Sequence, residues 1–214
     1  AKMKDILMAE SIGSLYCEKK DGNVDARFSS RQEVEGNLSA ICRARNLDLQ
    51  TLVQAQQIHA TSVTKVGTAQ RGKTISGADA LITDDPGVCL MLRVADCIPI
   101  FLFDPLKRAI GIAHSGWRGS IGKIIMVTIM KMSAQFDSNP KDLIIALGPS
   151  LLECCHVMRD EPLQSKLPEW GQFIKKQDYG YCVDVPGFVK KTAMQAGVKE
   201  KNFSLSTVCT AMQD

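Results

Sequence analysis

The sequence predicts mixed β-sheets flanked by helices, α/β in content but not doubly wound. Three observations carry that reading. Residues 98–103 (IPIFLF) are apolar throughout, as in a strand buried on both faces, and similar short runs stand at 88–92, 109–113 and 143–147. Residues 120–136 place Ile121, Ile124, Ile125, Val127, Ile129 and Met132 at helical spacing. Strand and helix signals then follow one another without strict βαβ order, which excludes an all-parallel sheet.

Residues 4–19 read as an entering strand, 21–23 (DGN) as a turn and 23–31 as polar loop. Residues 32–46 form a charged surface helix with Val34, Leu38, Ile41 and Cys42 on one side, and 47–50 lead out of it. A strand at 51–58 reaches His59, and 63–66 continues it after a break. The polar, glycine-containing stretch 68–75 reads as a mobile loop, and 77–83 leads into the next strands through the turn Asp84-Asp85-Pro86-Gly87. Asp104-Pro105 breaks the apolar run, so 98–113 reads as a hairpin. After the helix come a loop at 137–141, a buried strand at 143–147, the turn Gly148-Pro149-Ser150, and a mixed polar segment at 160–176. A strand at 181–185, a helix at 186–196 with Pro in its first turn and Gly197 at its stop, and a last strand at 203–208 complete the chain.

Composition excludes several classes. The 214 residues are 45% hydrophobic and 23% charged, and the net charge of +3 is too small to argue for nucleic acid. No apolar run reaches membrane-span length, and the charged N-terminus has no signal-peptide core, so the expected location is cytoplasmic. The eight cysteines then read as thiols or ligands rather than a disulfide framework, and without a CxxC pair they form no zinc ribbon.

The chemistry concentrates in residues 93–119. Cys97 at the start of one hairpin strand and His114 at the end of the next lie at the same end. A thiol beside an imidazole is either a pair of metal ligands or a nucleophile with its base. With His59 the set becomes two imidazoles and a thiolate, which suits tetrahedral zinc with one position left for water of pKa about 7. Asp96 is a candidate acid/base or a residue orienting a histidine. Arg118, between a strand end and a helix start, is a candidate phosphate or carboxylate clamp. Gly148-Pro149-Ser150 reads as an anion-binding or a plain turn, Trp117 as a packing residue or a wall for a flat ring, and Cys154-Cys155 as buried thiols rather than redox or metal groups.

The strings QIH, ADALIT, ADCIPIFLFDP, GIAHSGWRG, LGPSLLECCH and the closing CT resemble, in order and spacing, the multicopper polyphenol oxidase (laccase-domain) family, also described as purine nucleoside phosphorylases and peptidoglycan-editing factors. The resemblance runs from about residue 24 to 210. It implies His59, Cys97 and His114 as zinc ligands, with copper as the less expected metal. It implies an α+β single domain over 1–214, packed mixed β-sheets flanked by helices in αββα layers, similar to a cytotoxic necrotizing factor's catalytic domain. The implied activity is phosphorolysis of adenosine, inosine, guanosine or methylthioadenosine, with deamination of adenosine. Asp96 and Arg118 are the candidate catalytic residues, nucleoside and phosphate the expected substrates, and the oligomeric state is open, with a monomer favoured. Precursor-editing amidase, copper-dependent phenol oxidase and non-catalytic metal-stabilised module are the alternatives. Ala60, His156 and Asn37-Leu38 depart from the family pattern, and the chain is expected to lack the family's aromatic, arginine-rich C-terminal segment.

Overall fold

The computed structural model describes residues 29–212 together with Asp21 and Val24; the expected strand at 4–19 and most of the turn and loop at 21–31 lie outside the described residues. Helix α1 (Arg31–Ala44) starts where the Ser30 side chain accepts the Glu33 amide, and it turns Val34, Ile41 and Cys42 inward. Strand β1 (Leu52–Gln56) follows, with Val53 and Ala55 buried. It lies between β3 (Thr74–Ser76) and β5 (Cys89–Met91) in a parallel three-stranded sheet.

Two expectations are corrected here. Strand β2 (Val63–Lys65) does not continue β1 but pairs with β4 (Ala80–Thr83) in a different sheet. The stretch expected to be a mobile loop holds a short 3₁₀ turn, Thr68–Gln70, and then β3, a polar edge strand. Its Thr and Ser side chains face solvent, so no apolar alternation announces it.

The larger sheet is built on the hairpin of β6 (Ile98–Asp104) and β7 (Ala109–Ser115). With β8 (Ile144–Leu147) and β12 (Phe203–Leu205) it has the order β12-β8-β6-β7-β4-β2. The three inner pairings are antiparallel and the two outer ones parallel, so the sheet is mixed as expected. The expected single helix at 120–136 is two: α2 (Trp117–Ile121) and α3 (Ile124–Phe136). Lys123, with φ 57°, breaks them apart.

Helix α4 (Val185–Gln195) begins at Asp184, whose side chain accepts the Gly187 amide, with Pro186 in the first turn. On one face of the sheet, Ile98, Ile100, Leu102, Ile145 and Leu147 pack against Ile125, Ile129 and Met132 of α3 and Phe188 and Val189 of α4. Trp170 seals this layer, fully buried and stacked 3.8 Å from Phe188. On the other face, Leu81 and Ile112 meet Val53 and Ala55 of β1 and Val88 just before β5. The polar segment at 160–176 contains two 3₁₀ turns and β10 (Ile174–Gln177), which joins β11 (Gly180–Val183) and β9 (Val157–Met158) in a third, antiparallel sheet.

Candidate metal centre

The β6–β7 register pairs Ile98 with Ser115 and Pro99 with His114, so Cys97 and His114 do stand at one end of the hairpin. Gly116 measures how closely they face each other. A Cβ built there would lie 3.1 Å from Cys97 Sγ and 3.7 Å from His114 Nε2. Sulfur and ring nitrogen thus both approach the face of Gly116 where a side chain would otherwise stand.

His59 arrives from the loop after β1. Its ring stands edge-on to His114, with centroids 4.8 Å apart and planes at 86°. Two imidazoles on one tetrahedral ion, with bonds of about 2.0–2.1 Å, hold their centroids about 5 Å apart. Two devices bring this loop in. The Gln57 amide bridges to the backbone of Arg93, donating to its carbonyl at 2.6 Å and accepting its N–H at 3.1 Å. Gly119 lets α2 approach closely, since a Cβ there would sit 3.3 Å from the Ala60 carbonyl and 3.2 Å from that of His114.

Asp79 is the residue sequence reasoning missed. It is fully buried, and its carboxylate accepts the backbone N–H groups of Ile58, His59 and Ala60 at 3.1, 2.7 and 2.9 Å. Its carbonyl accepts the His114 amide, and Oδ1 lies 4.0 Å from His114 Nδ1, a buried nitrogen with no hydrogen-bond partner. The signal was a carboxylate leading straight into the apolar run ALIT: a buried charge there needs partners. Asp79 therefore stands against the histidines.

Asp96 is exposed and accepts the Thr210 hydroxyl at 2.6 Å, while its carbonyl accepts the Leu151 amide. It is tied to the chain's closing segment.

Burial, together with neighbouring His59, pushes the His114 pKa down to about 4 against a smaller upward pull from Asp79. That imidazole is neutral at pH 7, with its lone pair available. Burial, then Asp96, pushes the Cys97 thiol up.

Arg118 lies within α2, not before it, and its guanidinium sits 4.3 Å over the Trp117 ring. Trp117 is 39% exposed, with Arg118 covering part of its ring. With five residues, α2 offers little dipole to an anion. The Gly148 and Ser150 amides donate to the Pro99 and Val208 carbonyls, which leaves a plain turn. Cys154 is exposed and Cys155 half-buried, contrary to the expected buried pair. With Cys209 they form the one trio of His, Cys or acidic side chains among the described residues whose donor atoms all lie within 4.8 Å of one another. The donors of His59, Cys97 and His114 are set more openly.

Fold and site together define a mixed-sheet protein with histidine and cysteine donors gathered at the end of its central hairpin. The chain belongs to the multi-copper polyphenol oxidoreductase laccase family, whose profile matches residues 21–214. It is 30% identical over 189 residues to the purine nucleoside phosphorylase YlmD of Bacillus subtilis, covering 83% of this chain and 68% of that one. It is 33% identical over 128 residues to the mouse purine nucleoside phosphorylase LACC1, covering 60% of this chain and 29% of that one. The crystal structure of YlmD from Geobacillus stearothermophilus superposes with a TM-score of 0.81 at 28% identity, covering 86% and 73% of the two chains. The Bacillus licheniformis hypothetical protein YfiH superposes with a TM-score of 0.76 at 25% identity, covering 88% and 76%. No helix among the described residues is long and apolar enough to cross a membrane.

Proposed function

We propose that the chain is a zinc-dependent purine nucleoside enzyme that phosphorolyses adenosine, inosine, guanosine and methylthioadenosine and deaminates adenosine. The observation that carries the reading is the convergence of Cys97 Sγ and His114 Nε2 on the bare face of Gly116, with the His59 ring edge-on to that of His114. Two imidazoles and a thiol are a donor set for zinc, and His59, Cys97 and His114 are the residues that would hold it. His59 is exposed and free to turn its ring toward the other two. The alternative pairing of Cys97 as nucleophile with His114 as base is disfavoured. Burial keeps the thiol protonated and makes this imidazole a poor base.

Bound zinc would supply a polarised water or an electrophilic contact at neutral pH. The protein's own groups do the rest. Asp79 fixes the backbone of the His59 loop and faces His114 Nδ1, so the loop is placed before any ligand arrives. Arg118 holds phosphate, and the partly exposed Trp117 ring beside it offers a wall to a flat base. Asp96, beside Cys97, exchanges the proton that purine deamination requires. The names of the relatives support the nucleoside class.

The test is incubation of zinc-replete protein with adenosine and phosphate. Adenine with ribose 1-phosphate reports phosphorolysis, and inosine reports deamination. Absence of all three products would overturn the reading.

A further inference from the structure

We infer that Cys154, Cys155 and Cys209 form a second metal site, separate from the His59, Cys97 and His114 donors, that takes one thiophilic d¹⁰ cation, Zn²⁺ or Cu⁺.

The three sulfurs lie within 4.8 Å of one another, and Cys154 Sγ and Cys155 Sγ are 3.6 Å apart. Thiolates around one tetrahedral ion at a bond length of about 2.3 Å stand about 3.8 Å apart, so the cluster closes on an ion with shifts of under about 1 Å. All three are free thiols. A donor set of sulfur alone selects soft ions and rejects magnesium, calcium and manganese.

The backbone builds this convergence deliberately. Residues 152–156 turn back on themselves, with the Cys155 and His156 amides both donating to the Leu152 carbonyl. Fifty residues on, Cys209 is brought alongside by a parallel bridge to Ser150, where the Thr210 amide donates to the Ser150 carbonyl at 3.0 Å. Cys209 is buried, Cys155 half-buried and Cys154 exposed. The trio therefore has a fixed inner donor and an outer one at the surface, with access for an ion and for a fourth ligand from solvent.

The site is also wired to the first one. Thr210, next to Cys209, donates to Asp96, next to Cys97, and the Leu151 amide donates to the Asp96 carbonyl. An ion on the three sulfurs would pin residues 209–210 against the strand start that presents Cys97.

The experiment is cobalt titration of the reduced full chain under anaerobic conditions, following the near-ultraviolet thiolate-to-cobalt charge-transfer band. Cys97→Ser removes the thiolate of the first site, so a band that persists in that variant at one equivalent reports the trio. Adding Cys209→Ser to it should abolish the band or weaken binding at least tenfold. Cys154→Ser, at the surface, is the companion variant, with far-ultraviolet circular dichroism confirming that each variant folds. Displacement of cobalt by zinc or by cuprous ion then decides between the two cations. No band in Cys97→Ser, or a band unaltered by Cys209→Ser and Cys154→Ser, would overturn the proposal. So would a thiol count showing the trio consumed in a disulfide. The nucleoside reading is tested on adenosine turnover and survives either result.

Discussion

Replacing Gly116 with alanine separates the metal reading from simple packing. Gly116 has φ −78° and ψ 178°, an extended conformation any residue adopts, so the substitution adds no backbone strain. What it adds is a methyl group 3.1 Å from Cys97 Sγ and 3.6–3.7 Å from the His114 Cε1 and Nε2 atoms. Favourable contacts between non-bonded heavy atoms begin near about 3.5 Å, so the sulfur must retreat by a few tenths of an ångström. Cys97 is only half-buried, so it can move at little expense to folding, and the metal-free variant should lose under about 1 kcal/mol. Zinc is less forgiving. Its bonds tolerate about 0.2 Å, and a methyl pressed on Cys97 Sγ shifts that donor by at least as much. The expected result is zinc affinity reduced at least about tenfold, or about 1.4 kcal/mol, with metal-free stability nearly unchanged. Urea unfolding of chelator-treated protein measures the second quantity, and competition with a chromogenic zinc chelator measures the first. A variant that binds zinc as tightly as the wild type would refute the placement of the ion between these side chains.

Other expectations follow from the same geometry. Asp79→Asn keeps one acceptor oxygen but turns an amide NH₂ toward backbone N–H groups, so it should destabilise by about 2–4 kcal/mol. That is roughly 5–15 °C in thermal midpoint for a chain this size, with zinc affinity lowered about 10–100-fold as the histidines lose their orientation; an unshifted melt in calorimetry would contradict the role of Asp79. Arg118→Ala should raise the KM for phosphate about 10–100-fold while sparing the KM for nucleoside, checked by steady-state kinetics with each substrate varied in turn. In chelator-treated protein, His114 has a folded-state pKa of about 4 against an ordinary 6.5. Its contribution is complete above pH 6.5 and is lost as pH falls toward 4, by at most about 3.4 kcal/mol, read from urea midpoints across that window. Ile100→Ala, at a fully buried position of the central strand, should cost about 2–5 kcal/mol by equilibrium unfolding without altering zinc affinity.

What could be read from the string was local. The central hairpin was visible because two apolar runs flank Asp104-Pro105, and its antiparallel sense already put Cys97 and His114 at one end. The helix at 120–136 was misread because its apolar spacing runs unbroken across Gly122-Lys123, and only the left-handed φ of Lys123 divides it. Strand β2 was misassigned because sheet membership depends on a partner, β4, that no local pattern names. The same limit hid Asp79, whose hydrogen bonds reach backbone groups about twenty residues earlier. It also hid the three sulfurs, which meet through a bridge between Ser150 and Cys209.

The backbone supplies an independent argument that the first site is built for something other than stability. Six described non-glycine residues have left-handed φ. Four of them end a helix or close a turn: Asn46 follows α1, Arg108 closes the β6–β7 hairpin, Lys123 separates α2 from α3, and Asp137 caps α3. The other two are His59 at φ 59° and Asp96 at φ 68°, in the loops that carry the site. A left-handed residue with a Cβ costs about 1–2 kcal/mol that glycine would avoid. Folding alone would favour glycine at both places, yet the chain keeps an imidazole at one and a carboxylate at the other. The surroundings hold each strained residue in position: Asp79 accepts the His59 amide and those on either side, while Leu151 and Thr210 both donate to Asp96. Left-handed backbone at both His59 and Asp96, each secured by buried or closing-segment partners, is consistent with the ligand role proposed for these loops. A surface bend kept only to connect strands would have no use for either side chain.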